Sequence, residues 1–135
     1  MRLPDWPERL ADTIARLEDE PFRWGRHDCG TFAAECVEAI TGADPIAGFR
    51  GAYEDEAGAK QALKEIGAGS LYHTLTKLFG KSVPPARARR GDLVLIRTEL
   101  GPTLFVCLGE HCVGPGYERA ESRRTLDGRH AWRVG

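Results

Sequence analysis

Cys29 directly follows Asp28 at the start of a segment that is typical of a helix from about residue 28 to residue 41. Asp28 is a good N-cap, and Gly42 suits the position just after a helix. A thiol in the first turn of a helix lies at the positive end of the backbone dipole, which favours the thiolate and lowers the thiol pKa. Cys29 is therefore a candidate nucleophile for covalent catalysis.

The same cysteine also fits a structural role. Phe32, Cys36 and Ile40 recur with Cys29 at helical spacing on one apolar face. Free cysteine is among the most buried residue types, and a cysteine on such a face usually belongs to the core. Position alone favours the core over the nucleophile, and Cys36 we assign to the core.

The remaining cysteines raise the question of a metal site. The chain has four, Cys29, Cys36, Cys107 and Cys112, and none of the gaps between them is a CxxC motif. A metal or iron–sulfur site would require the fold to bring a helix and a hairpin together at these residues. We expect reduced thiols, no metal and no cofactor, and keep the four-cysteine site as an alternative hypothesis.

Four helices are predicted ahead of the strands. The first begins at an Asp5 N-cap and runs to about Asp19, and the Cys29 helix follows it. Further helices are predicted over about residues 54–66 and, after a Ser70 cap, over residues 71–79.

The second half of the chain alternates short apolar runs with turns. Strands are predicted over residues 92–96, 103–108, from His111 onward, 117–124 and 130–134. Helices followed by strands indicate an α+β fold, with N-terminal helices packed on a C-terminal antiparallel sheet. We expect a single domain over residues 1–135, divided into an N-terminal helix (1–20), a helical part that contains the Cys29 helix (21–82) and the sheet (83–135).

Composition narrows the class of protein. The chain has 135 residues, 41% hydrophobic and 29% charged, with a formal net charge of −1. This balance gives no bulk attraction to nucleic acid or to an anionic membrane. No apolar run has transmembrane length and the N-terminus lacks a secretory pattern, so we expect neither a membrane span nor signal-peptide export.

Two short motifs, in this order and at this spacing, resemble the NlpC/P60 superfamily of papain-like cysteine peptidases. The first is Asp-Cys-Gly-Thr-Phe at residues 28–32, and the second is Gly-Asp-Leu-Val at residues 91–94. The surrounding pattern is similar to a branch found among the tail genes of tailed phages and prophages: Trp-Gly-x-x-Asp-Cys at residues 24–29, Glu-Ala-Ile-Thr-Gly-Ala-Asp-Pro at residues 38–45 and Ala-Trp-Arg-Val at residues 131–134. The resemblance spans most of residues 20–135.

The resemblance implies a nucleophile at Cys29 and a histidine base at the start of the strand after Gly-Asp. Laid on this chain, the base position falls on Thr103, which cannot take up a proton from a thiol near neutral pH. The third, orienting polar residue falls close to Pro115, and Gly30 replaces the serine that usually follows the cysteine. The nucleophile position is thus kept while its activating partners are lost.

Another histidine would be needed to rescue catalysis. His111, at the start of a predicted strand, is the best candidate, and Cys29 with His111 is the predicted catalytic pair. His27 is two residues from the thiol, His73 is predicted to face solvent, and His130 alternates with Trp132 on the last strand.

The resemblance implies one of two functions. The first is a catalytically degenerate domain that serves as a structural or assembly component of a phage tail tip. Its partners would be other tail proteins, hub and tail-tip subunits, with peptidoglycan as a further candidate and no nucleic acid. It would be located in the virion tail, and in the host cytoplasm during assembly. The alternative is an active cysteine peptidase or amidase that cleaves peptidoglycan peptides during genome delivery.

Overall fold

Helices occupy the first half of the chain and strands the second in a computed structural model that describes residues 1–135. The helices are α1 (Trp6–Leu17), α2 (Cys29–Thr41), α3 (Glu56–Glu65) and α4 (Leu71–Phe79). The strands are β1 (Leu93–Thr98), β2 (Gly101–Cys107), β3 (His111–Pro115), β4 (Ala120–Arg124) and β5 (His130–Trp132). The α+β prediction is therefore confirmed, with most element ends within two or three residues of the predicted ones.

The five strands form one antiparallel sheet in the order β4-β3-β2-β1-β5. In β1 and β2, Leu95 pairs with Leu104 and Ile96 with Thr103. The pairing of β2 with β3 is much shorter, because it is confined to Val106 with Val113 and Cys107 with Cys112. The half of β2 that begins at Gly101 therefore has no strand partner on its β3 side.

The sheet separates two apolar clusters, since successive side chains of a strand point to opposite faces. On one face, residues of β1 and β2 such as Leu95 and Leu104 pack with Phe32 and Cys36 of α2. On the other face, Phe105, Cys107 and Cys112 form a smaller cluster. The four helices thus pack on one face of the sheet.

The start of α2 is held by a capping box, in agreement with the predicted N-cap. The Asp28 Oδ1 accepts from the Thr31 N–H at 2.9 Å, and the Thr31 hydroxyl accepts from the Asp28 N–H at 2.8 Å. Gly42 ends the helix with a φ of 84°, a conformation in which glycine costs least. Ser70 caps α4 as predicted, whereas Asp5 makes no side-chain cap at α1.

The buried aspartate of the Gly-Asp-Leu-Val motif joins both ends of the chain. Asp92 is 2% exposed and accepts from the Arg2 guanidinium at 2.9 Å and from the Val134 N–H at 3.1 Å. The Arg89 N–H donates to its second oxygen. This aspartate therefore ties the N-terminus, the start of β1 and the C-terminus together. None of the helices has the length and apolar character needed to cross a membrane.

Candidate functional site: a thiol at an apolar cavity

Cys29 is the first residue of α2 and lies against β2, on the face of the sheet that the helices cover. The backbone N–H groups of Leu104, Gly30 and Cys29 itself lie near its sulfur and each lowers the thiol pKa. These donors, together with the helix terminus, favour a thiolate. The predicted position in the first turn of the helix is confirmed.

Burial outweighs these donors. It raises the pKa of the Cys29 thiol to about 11, and the neighbouring Asp28 carboxylate contributes in the same direction, while the Leu104 N–H only partly offsets it. A thiol with this pKa is almost entirely protonated at neutral pH and is a poor nucleophile. The helix-terminus argument alone would have given the opposite direction, because it ignores desolvation of the sulfur.

Leu104, and not Thr103, is the residue of β2 that faces the thiol. Leu104 packs in the same cluster as α2, whereas the Thr103 hydroxyl lies 2.9 Å from the Thr98 hydroxyl on the opposite face. Thr103, on which the base position of the resemblance falls, therefore does not face the thiol. Leu104 cannot act as a base either, because a leucine side chain accepts no proton.

The Leu104 N–H is left without a strand partner because β2 pairs with β3 only at Val106 and Cys107. The Cys107 N–H donates to the Asp92 carbonyl, on the β1 side of β2. The Leu108 N–H donates to the His111 carbonyl, on the β3 side. By this alternation the Leu104 N–H points to the β3 side, where continued pairing would place Pro115 opposite it. Pro115, near which the orienting position of the resemblance falls, is not among the residues that line the cavity at Cys29 and has no polar side chain.

His111 is not brought to Cys29. It is exposed, pairs with Arg124 on β4, and lines a separate pocket with Glu110 and Thr125. In the β2–β3 register it lies beside Leu108, four residues from Leu104, which is roughly 13 Å along the strand. The two residues of the predicted catalytic pair thus lie in different parts of the surface.

The other histidines also have neighbours of their own. His27 is 5% exposed, with its Nδ1 at 3.3 Å from Glu20 and its ring against Phe32. Burial lowers the pKa of His27, an effect that Glu20 partly opposes. His73 contacts the hydroxyl of Ser70 and is exposed, as predicted.

His130 shares the helix-covered face of the sheet. It is the neighbour of Leu95 on β1 and packs edge-on against the Tyr72 ring, with 4.7 Å between the ring centroids. Neither His130 nor any other histidine is among the residues that line the cavity at Cys29.

Tyr53 is the residue at the site that sequence reasoning missed. Its hydroxyl donates to the Asp28 Oδ2 at 2.6 Å, and the same oxygen accepts from the Gly25 N–H at 2.9 Å. Gly25 has a φ of 80°, and a Cβ there would overlap the Tyr53 carbonyl oxygen. Burial and the Asp28 charge raise the pKa of Tyr53, so its hydroxyl remains a donor. No local sequence pattern predicts this contact, because the two residues are 25 positions apart in the chain.

A cavity of about 440 Å³ opens beside Cys29, between the sheet and helices α2, α3 and α4. Of the 27 residues that line it, 17 are hydrophobic. The large apolar ones include Phe49, Leu63, Leu71, Leu75, Phe79 and Leu104. This size lies within the range of small-molecule sites, so the arrangement can bind an apolar group even though it lacks a base.

The cysteines do not gather at one place. Cys36 packs in the cluster between α2 and the sheet, as assigned, whereas Cys107 and Cys112 lie in the cluster on the other face. All four thiols are free, and no group of three or more histidine, cysteine or acidic residues is arranged to hold a metal ion. The helix and the hairpin meet, but the sheet itself separates the two cysteine pairs.

Comparison with known proteins places the chain in a family but finds no curated relative. No curated protein matches the chain. A family profile described as "Domain of unknown function (DUF6950)" matches residues 1–134, which is nearly the whole length. The chain therefore belongs to the DUF6950 family of domains of unknown function.

Proposed function

We propose that this chain is a non-hydrolytic NlpC/P60-like domain that serves as a structural component of a phage tail tip. The observation that carries the proposal is the surroundings of Cys29, since the cavity at the thiol contains no histidine and the side chain facing it from β2 is Leu104. Without a base, a thiol of pKa about 11 is not deprotonated for attack on a peptide bond.

The acidic groups near the thiol are occupied. The Asp28 carboxylate accepts from the N–H groups of Gly25 and Thr31 and from the Tyr53 hydroxyl. It is 1% exposed, so its oxygens are held by these donors and away from solvent. Asp28 therefore supports the helix start and is not free to act as a base toward Cys29.

The two motif aspartates, Asp28 and Asp92, have structural roles. Asp28 fixes the start of α2, and Asp92 connects Arg2 with Val134. A domain that had lost catalysis would still keep both aspartates, because each satisfies buried backbone groups. The motifs that suggested a peptidase are therefore compatible with a role that depends on the fold alone.

The tail-tip role is supported by the order and spacing of the motifs over residues 24–45 and 131–134, which are similar to those of small tail-encoded proteins. A small domain without a catalytic centre can contribute surface to an assembly. The alternative, a peptidase active during genome delivery, needs a base that none of the residues around Cys29 supplies.

The test is made in the phage or prophage that encodes the chain. We expect Cys29→Ser to give normal tails and normal infectivity, because the sulfur does no chemistry. Leu10→Asp, which puts a charge at a fully buried core position, should unfold the domain and abolish complete tails. Mass spectrometry of purified particles should find the chain in the tail.

Two results would contradict the proposal. If Cys29→Ser particles assemble but lose infectivity at least a hundredfold, and the purified wild-type protein digests peptidoglycan, the chain is a peptidase. If Leu10→Asp leaves tail assembly unaffected and the chain is absent from purified tails, the structural role is wrong.

A further inference from the structure

The cavity at Cys29 is deeper and more apolar than a structural role requires. Small residues of α2 form one wall, Gly30, Ala33 and Ala34, and leave space that larger side chains would fill. Leu63 of α3 and Leu75 of α4 face them across about 440 Å³. A sizeable apolar cavity that opens to the surface of a small domain is unusual unless something occupies it.

Three polar groups in the cavity wall are unavailable to an occupant or uncharged. The Thr74 hydroxyl donates to the Ser70 carbonyl at 2.6 Å and accepts from the Ala68 N–H at 3.0 Å. The Tyr53 hydroxyl is engaged by Asp28, and the Cys29 thiol is protonated at neutral pH. An occupant that buried polar groups here would leave them without partners, so the inner part of the cavity suits a hydrocarbon.

Cations lie at the edge of the cavity. Lys60 and Lys64 both line it and are one turn apart on α3. Lys60 is 3.4 Å from Glu56, whereas Lys64 has no carboxylate within ion-pair distance. The exposed Lys64 ammonium therefore remains available to an anion placed at the cavity mouth.

We propose that this cavity binds the aliphatic chain of a fatty carboxylate, with the carboxylate held at the mouth by Lys64. The hydrocarbon packs between α2, α3 and α4, and the anion stays near water, where its desolvation cost is small. The proposal goes beyond the tail-tip function and does not depend on it, since binding requires neither a tail partner nor a reactive thiol.

The first experiment is calorimetric titration of the full chain with octanoate, dodecanoate and palmitate, each below its micelle concentration. We expect one saturable site, with affinity rising about fourfold for each added methylene until the cavity is full. The corresponding alcohols should bind about two- to fivefold more weakly, because an exposed ion pair contributes little. Absence of saturable binding, or equal affinity for alcohol and carboxylate, would overturn the proposal.

Paired variants locate the site. Ala59→Trp fills the cavity from α3, whereas Ala57→Trp makes the same change at an exposed position of the same helix that does not line it. We expect at least a tenfold loss of palmitate affinity for the first and no change for the second. Lys64→Gln should bring the affinity for palmitate down to that for its alcohol, while Lys77→Gln on α4 should not. Palmitate binding that is equally strong in all four variants would refute the assignment.

A measurement on the wild-type protein removes any dependence on the folding of these variants. In amide NMR spectra, palmitate should shift Gly30 and Leu104, which line the cavity, and leave Cys112, on the other face of the sheet, unmoved. Shifts confined to the Cys112 face would overturn the proposal. These measurements use the purified chain and need no phage particle, so a failure here is distinct from a failure of the proposed tail function.

Discussion

The Leu104 side chain packs beside the Cys29 thiol and faces α2 from the adjoining strand, and the Leu104 backbone N–H lies close enough to lower the thiol pKa. This one relationship defines the site. The strand supplies the thiol with a backbone donor and an aliphatic neighbour, where a catalytic thiol would need a base. Burial then decides the protonation state, which is the neutral thiol at physiological pH.

Leu104→His should activate the thiol. An imidazole at this position would face Cys29, and as an imidazolium it would stabilise the thiolate and lower the thiol pKa by about one to three units. We expect the rate of Cys29 alkylation at pH 7 to rise at least about tenfold. The rate is measured by peptide mass spectrometry after timed exposure to iodoacetamide.

Thr103→His is the matched control. It introduces the same ring at the adjacent buried position, but the ring points to the opposite face of the sheet. The Cys29 rate should then stay at its wild-type value, provided that circular dichroism shows both variants folded. A larger acceleration in Thr103→His than in Leu104→His would mean that the face assignment of β2 is wrong.

Tyr53→Phe should destabilise the fold. The variant removes the donor that meets the buried Asp28 carboxylate at 2.6 Å. Since a hydrogen bond to a charged group contributes more than a neutral one, we expect the free energy of unfolding to fall by about 1.5 kcal/mol in urea titrations. Tyr117→Phe, at a tyrosine that is 64% exposed, should change it by less than about 0.5 kcal/mol. Equal effects would show that the Asp28–Tyr53 bond does not support α2.

His27 should make the protein sensitive to mild acid. Its pKa is lowered in the fold by burial, whereas in the unfolded chain it takes up a proton near pH 6.5. Between its lowered folded pKa and about pH 6.5 the unfolded state binds more protons, so the free energy of unfolding decreases as the pH falls through that window.

The measurement is urea unfolding of wild type and His27→Gln between pH 7.5 and pH 5. The wild-type slope should exceed that of the variant by at most about 1.4 kcal/mol per pH unit. His73→Gln, at an exposed histidine, should keep the wild-type slope. A His27→Gln slope as steep as wild type would assign the acid sensitivity to other groups.

Arg2→Met should weaken the junction of the two chain ends. Asp92 would remain buried with its backbone donors but without the guanidinium at 2.9 Å. We expect a loss of about 1.5–3 kcal/mol in the free energy of unfolding, the range for a hydrogen bond to a charged group. Arg87→Met, at an exposed arginine of the turn before β1, should be close to neutral. An Arg2→Met protein as stable as wild type would show that Asp92 needs only its backbone donors.

Local signals in the sequence predicted much of the fold. The Asp28 cap, the Gly42 end of α2 and the Ser70 cap of α4 depend on residues within one turn, and each is found as predicted. The order of helices before an antiparallel sheet follows from the change of periodicity along the chain.

The register of β2 could not be predicted in the same way. Five consecutive residues, from Thr103 to Cys107, are buried, because helices cover one face of the strand and loops the other. Without polar alternation, nothing in the sequence tells which residues face α2, and an error of one residue exchanges the faces. The resemblance puts the base position on Thr103, whereas the structure shows that Leu104 is the residue that faces the thiol.

The cavity and the Asp28–Tyr53 bond were not predictable for a different reason. Each depends on how α3 and the loop before it pack on α2, and such long-range contacts leave no pattern in a single sequence. The same holds for the pKa of Cys29, because desolvation is set by the neighbours of the sulfur and not by its place in the helix.

The central claim is that Cys29 is a half-buried, protonated thiol and not an activated nucleophile. The most direct test is the rate of Cys29 alkylation by iodoacetamide in the native protein at intervals from pH 6 to pH 9.5, read by peptide mass spectrometry. With a pKa of about 11, the rate should be very low at pH 7 and rise about tenfold per pH unit without a plateau. A fast reaction that levels off below pH 8 would contradict the account and identify Cys29 as the nucleophile of an enzyme.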